Sequence, residues 1–308
     1  MAGARTPVVV GPTGIGKTAV AMALAAHWPL EVVSADSRQV YRLLDVGTAK
    51  PTRRMLERVP HHGLDVVAPG DRYSAGRFAE EAPRWIEDIR SRGRLPVVVG
   101  GTGLYIKALA DGLFVEPGLD PLKRKDLERW ISFLEPLELV RWAGRLDPGF
   151  QGGGRQRAAR ALEVALLTGR SLSYWQESAR SQGTIRPWYV VLTAPRAVLH
   201  QRIQARAEEM VRRGMIEEVA AVLADGVPPT APGLDAIGPH EAVEYLQGVR
   251  PRDSVADAVA TATRQYAKRQ ETWFRHQLEG DIVTLDATRT PEEVAREIAE
   301  RFAALPAP

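Results

Sequence analysis

The stretch Val8-Val-Val-Gly-Pro-Thr-Gly-Ile-Gly-Lys-Thr18 decides the fold of this chain. It satisfies the pattern G-x-x-x-x-G-K-[ST], in which backbone N–H groups turn inward around a phosphate. A strand-like apolar run precedes the loop and an Ala-rich helical segment follows it, so the helix N-terminus faces the anion. Lys17 adds a positive charge, and Thr18 offers its hydroxyl to Mg²⁺. The predicted diphosphate-binding residues are Gly11, Pro12, Thr13, Gly14, Ile15, Gly16, Lys17 and Thr18.

Working outward from this loop, short apolar runs at 8–10, 31–34, 95–100 and 188–193 alternate with helical segments. This alternation predicts an α/β fold, a P-loop NTPase-like parallel sheet core flanked by helices. Residues 113–186 carry helical spacing without a convincing strand, which predicts an inserted all-helical domain. The catalytic core then comprises 1–112 and 187–308, with one long helix over 196–223 and a mostly helical C-terminus.

Composition narrows the class of protein. The 308 residues include no cysteine, which excludes disulfides and cysteine-ligated zinc. No apolar run reaches membrane-span length and no signal peptide precedes the core, so we expect a cytoplasmic protein without a membrane partner. The net charge is +3, and 35 of the 41 basic residues are arginines, which suit phosphates and stacked bases.

Two further turns follow predicted strands at the same edge of the sheet, where ligands of parallel sheets gather. Asp36 follows the second strand, and Gly100-Gly101-Thr102 ends the third. Asp36 could hold Mg²⁺, act as a general base, or cap the next turn. The third strand ends in Gly-Gly-Thr and not in an acidic residue, which disfavours a motor- or switch-type ATPase. A transferase or a small-molecule kinase remains.

Basic residues recur at helical spacing in the second half of the chain. In the segment 261–276, Arg264, Lys268 and Arg275 fall on one face, and aromatic residues interleave with cations on another. This pattern suits RNA backbone contacts and base stacking, or simply a solvated face. A second cluster, Arg155 to Arg160, begins a helix of the insertion.

Taken together, these residues resemble the tRNA dimethylallyltransferase (tRNA isopentenyltransferase) family over nearly the whole chain. The combination is specific to that family, although the first loop alone is common to many proteins. The stretches that carry the resemblance are 11–18, 33–42, 45–51, 61–65, 100–105, 160–164, 210–218, 236–241 and 263–270.

The resemblance implies transfer of a dimethylallyl group from dimethylallyl diphosphate to N6 of adenosine 37, next to the tRNA anticodon. The loop and Mg²⁺ would hold the leaving diphosphate. By analogy with the family, Asp36 would accept the proton of the attacking amine, and Thr102 and Arg206 would contact the departing oxygen. The target base would have to leave the stack of the anticodon loop to reach the donor.

The resemblance also implies a tRNA interface, in which the insertion clamps the anticodon stem-loop against the core of a monomeric enzyme. One departure is that Gly152-Gly153-Gly154-Arg155 stands where the family usually carries Asn-Asp just before the Gln-Arg of the insertion helix, which removes a natural helix cap. His240 stands where Lys is more common. The predicted tRNA-binding residues are Asp36, Ser37, Arg38, Gln39, Thr102, Arg124, Gln156, Arg157, Arg160, Arg264, Lys268 and Arg275.

Three other functions remain open to test. An isopentenyltransferase acting on free adenine nucleotides shares the chemistry, but the insertion and the basic C-terminal helix favour tRNA. A small-molecule or nucleotide kinase would use ATP as phosphoryl donor. A non-catalytic RNA-binding protein would have a decayed loop, against which the intact Lys17, Thr18, Asp36 and Thr102 argue.

Overall fold

The computed structural model describes residues 5–112, 119–178 and 183–306. Its strands are β1 (Arg5–Val10), β2 (Leu30–Ala35), β3 (His61–His62), β4 (Leu95–Gly100), β5 (Arg186–Thr193) and β6 (Ile282–Asp286). All pairings are parallel, and the sheet order is β3-β2-β4-β1-β5-β6. The predicted α/β core with a parallel sheet is confirmed.

Thirteen α-helices fall within the described residues. The first seven along the chain are α1 (Lys17–Leu24), α2 (Arg53–Arg58), α3 (Ala75–Ser91), α4 (Gly103–Ala110), α5 (Pro121–Ser132), α6 (Pro136–Leu146) and α7 (Arg155–Thr168). The remaining six are α8 (Leu172–Ser178), α9 (Arg196–Arg212), α10 (Met215–Ala224), α11 (Pro239–Leu246), α12 (Val255–Gln277) and α13 (Pro291–Ala303).

The central strands are apolar on both faces because helices cover both faces of the sheet. Successive side chains of β1 alternate between the two sides: Val9 joins one core cluster, and Val8 and Val10 join the other. Helices α1, α9, α10 and α13 supply the first cluster, and α3 and α4 supply the second. The sheet is therefore the buried middle layer of the core.

Strand register brings three loops to one level at the carboxyl edge of the sheet. Val10 is paired with Gly100, and Ala35 is also paired with Gly100. The residues that follow each strand, which include the phosphate-binding loop, Asp36 and the glycine turn, therefore start side by side. The prediction that these turns share one edge of the sheet is confirmed.

The chain divides into two compact units, one of Met1–Ala110 with Thr184–Pro308 and one of Asp111–Gly183. The second unit is helical in its described part and has its own core, which includes Leu139, Ala143 and Leu162. In the first unit, the carbonyl of Leu109 accepts hydrogen bonds from the N–H groups of Thr184 (2.8 Å) and Ile185 (3.3 Å). The predicted start of the insertion at residue 113 and its stretch 179–182 lie outside the described residues.

In the C-terminal half one prediction is wrong, and one strand was not predicted within a region that is mostly helical as expected. The single helix predicted over 196–223 is two helices, α9 and α10, because Gly214 adopts a φ of 91° that ends helical geometry. The mostly helical C-terminus also contains an edge strand, β6, which pairs with β5 through Val190↔Val283 and its neighbours. Only one residue of β6, Leu285, is buried, so the strand lacks a clear apolar pattern.

Candidate active site

The loop of residues 11–18 joins β1 to α1 and adopts a conformation that only glycine tolerates at several points. Gly14 and Gly16 have φ values of 81° and 107°. A Cβ on Gly11 would lie 2.7 Å from the backbone oxygen of Leu192 on β5. The ammonium of Lys17 donates to the carbonyls of Gly11 (2.8 Å) and Pro12 (2.9 Å). The loop therefore already has a tight turn, and the Lys17 ammonium lies against its backbone carbonyls.

Two cations beside this loop, Lys17 and Arg206, are largely removed from water. Burial lowers the pKa of the Lys17 ammonium to about 8, nearby Asp36 acts in the opposite direction, and Arg206 lowers it further. Burial also lowers the pKa of the Arg206 guanidinium, and Asp36 again opposes the shift. Two poorly solvated cations facing one carboxylate form a site whose electrostatics favour a bound anion.

Asp36 forms the turn after β2 and faces the same cavity as the loop. Its Oδ1 accepts hydrogen bonds from the backbone N–H groups of Arg38 (2.9 Å) and Gln39 (3.4 Å). Asp36 therefore does cap the next turn, one of the three roles considered for it. Both bonds fall on Oδ1, and Oδ2 has no hydrogen-bond partner among residues 5–112, 119–178 and 183–306.

Thr102 lies at the start of α4, but its hydroxyl is engaged by neighbours in the core. Its Oγ1 accepts from the N–H of Ser37 (3.0 Å) and donates toward the Ser37 hydroxyl (3.3 Å). Burial raises the pKa of Tyr266, and Asp36 raises it further. Thr102 therefore contacts Ser37, the residue after Asp36, and is not among the residues that line the cavity described below, whereas Ser37 and Tyr266 are.

A cavity of about 890 Å³ connects these groups, and all of its lining residues belong to the first unit. Part of the lining is polar and includes the phosphate-binding loop, Asp36 and Arg206. Another part is apolar and includes Val20, Met55 and Val99. The cavity therefore offers both polar and apolar contacts, as a ligand with an anionic head and an apolar tail requires.

The other residues of the Asp36 turn have partners in the surrounding loops. Arg38 donates to the carbonyl of Pro232 (3.2 Å) and lies 3.8 Å from a carboxylate oxygen of Asp235. The side-chain amide of Gln39 donates to the carbonyls of Thr48 (3.4 Å) and Ala49 (3.2 Å), which belong to the cavity wall. Both side chains are partly exposed and border the cavity.

Sequence reasoning missed Gln270 as a site residue. Its side chain is 6% exposed, and its Oε1 accepts from the N–H of Thr13 (2.8 Å) while its Nε2 donates to the carbonyl of Gly101 (2.9 Å). A signal was available in the sequence: Gln270 lies three residues after Ala267 and four before Phe274, both of which are buried. That spacing puts it on the apolar stripe of α12.

The two faces predicted for α12 differ in their environment. Lys268 and Arg275 are exposed, whereas Arg264 is half-buried and donates to Gln204 (3.3 Å). On the other face, Tyr266 and Arg269 line the cavity, with the guanidinium of Arg269 over the Tyr266 ring at 5.6 Å. The aromatic face therefore meets the site, and the basic face is open.

In the insertion, the predicted tRNA-binding residues fall into two groups. Arg124 and Arg160 both pair with the buried carboxylate of Glu163, at 2.5 and 2.8 Å, while Gln156 and Arg157 are exposed. As the glycine tract suggested, α7 begins without a side-chain cap.

Gly154 is the N-cap residue of α7, and no side chain caps this helix. Arg155, the first residue of α7, instead donates to the backbone carbonyls of Ile131, Ser132 and Leu134 at the end of α5. These bonds tie α7 to the C-terminal end of α5, but they satisfy carbonyls of that end and leave the first N–H groups of α7 without a side-chain cap.

The donor set suits Mg²⁺ held jointly by protein and ligand. Within the described ranges, no three His, Asp or Glu side chains come close enough to form a metal site of their own. The Thr18 hydroxyl lines the cavity, and Mg²⁺ is typically held by one or two protein oxygens together with substrate phosphates. Over the same ranges, no helix is both long and apolar enough to cross a bilayer.

Comparison with known proteins decides the family. The family model described as IPP transferase matches residues 39–277, and one described as isopentenyl transferase matches residues 5–65. A protein named tRNA dimethylallyltransferase from Geobacter metallireducens is 41% identical over 288 residues, covering 89% of this chain and 91% of its own. The chain belongs to the tRNA dimethylallyltransferase family.

Solved structures of this family extend the likeness to three dimensions. The tRNA isopentenylpyrophosphate transferase of Bacillus halodurans is 32% identical with a TM-score of 0.70, and the match covers 97% of each chain. A eukaryotic dimethylallyltransferase captured acting on tRNA is 27% identical with a TM-score of 0.82, covering 98% of this chain and 80% of the other. The tRNA dimethylallyltransferase fold therefore runs through both units.

Proposed function

We propose that this protein transfers the dimethylallyl group of dimethylallyl diphosphate to N6 of adenosine 37 in tRNA. The observation that carries the proposal is that the phosphate-binding loop, two poorly solvated cations and the Asp36 carboxylate line one cavity. The names of the relatives, which are tRNA dimethylallyltransferases, support the same reaction class.

In this proposal the donor's diphosphate lies in the loop and its five-carbon tail lies against the apolar wall. Lys17 and Arg206 stabilise the negative charge that grows on the leaving oxygen. Mg²⁺, which the Thr18 hydroxyl would hold, supplies further positive charge to the diphosphate. Because these groups are already in place, little reorganisation accompanies bond breaking.

The bond changes are those of a substitution at the allylic carbon. The N6 lone pair of adenosine forms the new C–N bond, and the C–O bond to the diphosphate breaks with its electron pair on oxygen. The N6 proton passes to Oδ2 of Asp36, the oxygen that the turn leaves without a partner. Since an adenine amine is a poor nucleophile, placement and a nearby base are what the protein contributes.

The acceptor would enter past α12 and the Asp36 turn. Tyr266 and Arg269 offer an aromatic face and a cation to a base leaving the anticodon loop, while Lys268 and Arg275 lie exposed for the phosphate backbone. Ser37, Arg38 and Gln39 border the same opening. These contacts favour a polyanionic acceptor over a free nucleotide.

The decisive experiment uses labelled dimethylallyl diphosphate, Mg²⁺ and an anticodon stem-loop with adenosine at position 37. We expect Asp36→Asn, which keeps the turn-capping oxygen, to lower the transfer rate about 100-fold or more with stem-loop affinity changed by less than about threefold. Asp71→Asn is the matched control, since Asp71 also caps a turn but is exposed outside the cavity. It should retain the full rate.

Three parallel reactions separate the alternatives. In the first, a stem-loop with adenosine replaced at position 37 should take no label. In the second, free AMP replaces the stem-loop and should take none. In the third, ATP replaces the donor and should not be turned over. Labelling of AMP would point to a nucleotide prenyltransferase, and ATP turnover without label transfer would point to a kinase. Full activity of Asp36→Asn would remove Asp36 from the role of base.

A further inference from the structure

The side-chain amide of Gln270 connects two loops that arise from different strands. Thr13 belongs to the phosphate-binding loop after β1, and Gly101 belongs to the turn after β4. The amide oxygen accepts from the Thr13 N–H (2.8 Å), and the amide nitrogen donates to the Gly101 carbonyl (2.9 Å). One buried side chain on α12 thus satisfies a donor on one loop and an acceptor on the other.

The backbone of the glycine turn comes very close to this amide and to α12. A Cβ on Gly101 would lie 2.3 Å from the Gln270 nitrogen, and a Cβ on Gly103 would lie 2.4 Å from the Trp273 ring. Both distances are shorter than real contacts, so α12 can approach the turn only because these two positions are glycine. The position of the Gln270 amide is therefore fixed by packing as well as by its hydrogen bonds.

The amide also holds the loop at the point where it turns. Its bond to the Thr13 N–H lies directly before Gly14, whose φ is 81°, and the turn is closed by a hydrogen bond from the Ile15 N–H to the Pro12 carbonyl (3.3 Å). Glutamine meets both requirements because its amide carries one acceptor and two donors. A carboxylate would meet the Gly101 carbonyl with like charge, and a thioether would leave both backbone groups without partners.

We propose that Gln270 is a positioning residue that sets the shape of the phosphate-binding loop for the donor's diphosphate. This rests on the proposed function, in which that loop holds a diphosphate. Gln270 acts through Thr13 and Gly101 and need not touch the ligand. The helix that carries the exposed basic face therefore also braces the donor site.

The test measures binding of inorganic diphosphate with Mg²⁺ to the full chain by titration calorimetry. The variants are Gln270→Met and Gln270→Glu, and the matched controls are Gln265→Met and Gln265→Glu, which change an exposed glutamine of the same helix. At neutral pH we expect both Gln270 variants to bind diphosphate at least about tenfold more weakly than their controls. The Gln265 variants should bind within twofold of the unmodified protein.

A pH series distinguishes hydrogen bonding from general disruption. A protonated glutamic acid can accept from Thr13 and donate to Gly101 as the amide does. Relative to Gln265→Glu at each pH, Gln270→Glu should therefore regain most of its affinity as the pH falls toward about 5.5, whereas Gln270→Met should not. If Gln270→Met fails to fold, the recovery of Gln270→Glu still decides the question.

Wild-type affinity of either Gln270 variant at neutral pH would overturn the inference. A loss in Gln270→Glu that does not change with pH would overturn it too. Failure of the unmodified protein to bind Mg²⁺-diphosphate would instead refute the proposed function, whatever the variants do.

Discussion

Burial of Lys17 makes the stability of this protein depend on pH in a way that can be calculated. The pKa of Lys17 is lowered from 10.5 to about 8 in the folded chain, chiefly by burial. Between these two values the unfolded chain holds a proton that the folded chain has released. The free energy of unfolding therefore rises with pH through this window, and below it the folded state bears the full cost of the buried charge.

The magnitude follows from the size of the shift. One pKa unit corresponds to about 1.4 kcal/mol, so a shift to about 8 corresponds to about 3 kcal/mol over the whole window. From pH about 7.5 to about 9.5, which is experimentally accessible, the unmodified protein should gain about 2 kcal/mol from this one group.

The assay compares Lys17→Met with the unmodified protein by urea unfolding, followed by the fluorescence of the buried Trp188 and the other tryptophans. Methionine does not titrate, so the variant lacks the gain that Lys17 gives the unmodified protein as the pH rises. The free energy of unfolding of the variant should therefore fall by about 2 kcal/mol relative to that of the unmodified protein across this pH range. Other groups cancel in the difference. Lys268→Met, which removes an exposed ammonium, is the matched control and should show no such change.

A stability difference between Lys17→Met and the unmodified protein that stays constant with pH would refute the reasoning. A second measurement adds saturating Mg²⁺-diphosphate. Because a bound anion favours the protonated ammonium, the unmodified protein should then lose its gain in stability with pH. A gain that persists in the presence of the ligand would mean that the anion does not lie beside Lys17.

Three further predictions concern other parts of the chain. Lys268→Ala should weaken stem-loop binding and reduce the slope of log K against log salt by about 1, measured by filter binding; an unchanged slope would mean that this ammonium meets no phosphate. A Cβ on Gly100 would lie 2.1 Å from a backbone oxygen of β2, so Gly100→Ala should lower the free energy of unfolding by about 3 kcal/mol or more. Gly70→Ala is the control, because a Cβ on Gly70 would meet open space, and it should have little effect. Burial disfavours ionised Glu31, but its hydrogen bonds to His62 and Arg92 outweigh this and lower its pKa below 4.5. The unmodified protein should therefore be more stable than Glu31→Gln above pH about 4.5, and this advantage should disappear as the pH falls below that value. Acid titrations of both proteins followed by circular dichroism measure the difference, and an advantage that survives further acidification would contradict the prediction.

Local chemistry made the sheet and the phosphate-binding loop predictable from sequence. The loop has strict spacing, and the strands around it are apolar runs such as Leu95–Gly100, buried on both faces. Edge elements gave weaker signals. Strand β3 is only two residues long, and β6 is mostly exposed, so neither has a pattern that distinguishes it from a loop. The break at Gly214 had a visible signal, the glycine itself.

Roles that depend on long-range contacts were harder to predict. A threonine after a glycine turn fits a ligand contact, but only the fold reveals that the Thr102 hydroxyl is engaged with Ser37, which lies 65 residues away. The role of Gln270 likewise depends on two loops more than 160 residues distant in sequence. Sequence spacing indicates which face a residue occupies, whereas its partner is set by tertiary packing.

The hydrogen bonds at Leu109 have a consequence for the length of the insertion. Thr184 and Ile185 return to the carbonyl of Leu109, next to the point where the chain leaves the core, and none of the six strands comes from the described residues between them, 110–112, 119–178 and 183. The length of that segment can therefore change without altering the register of a single strand. Since the entropy of closing a loop grows only with the logarithm of its length, such changes cost the core little. The insertion is thus a place where a shorter or different domain can be grafted onto an unchanged sheet.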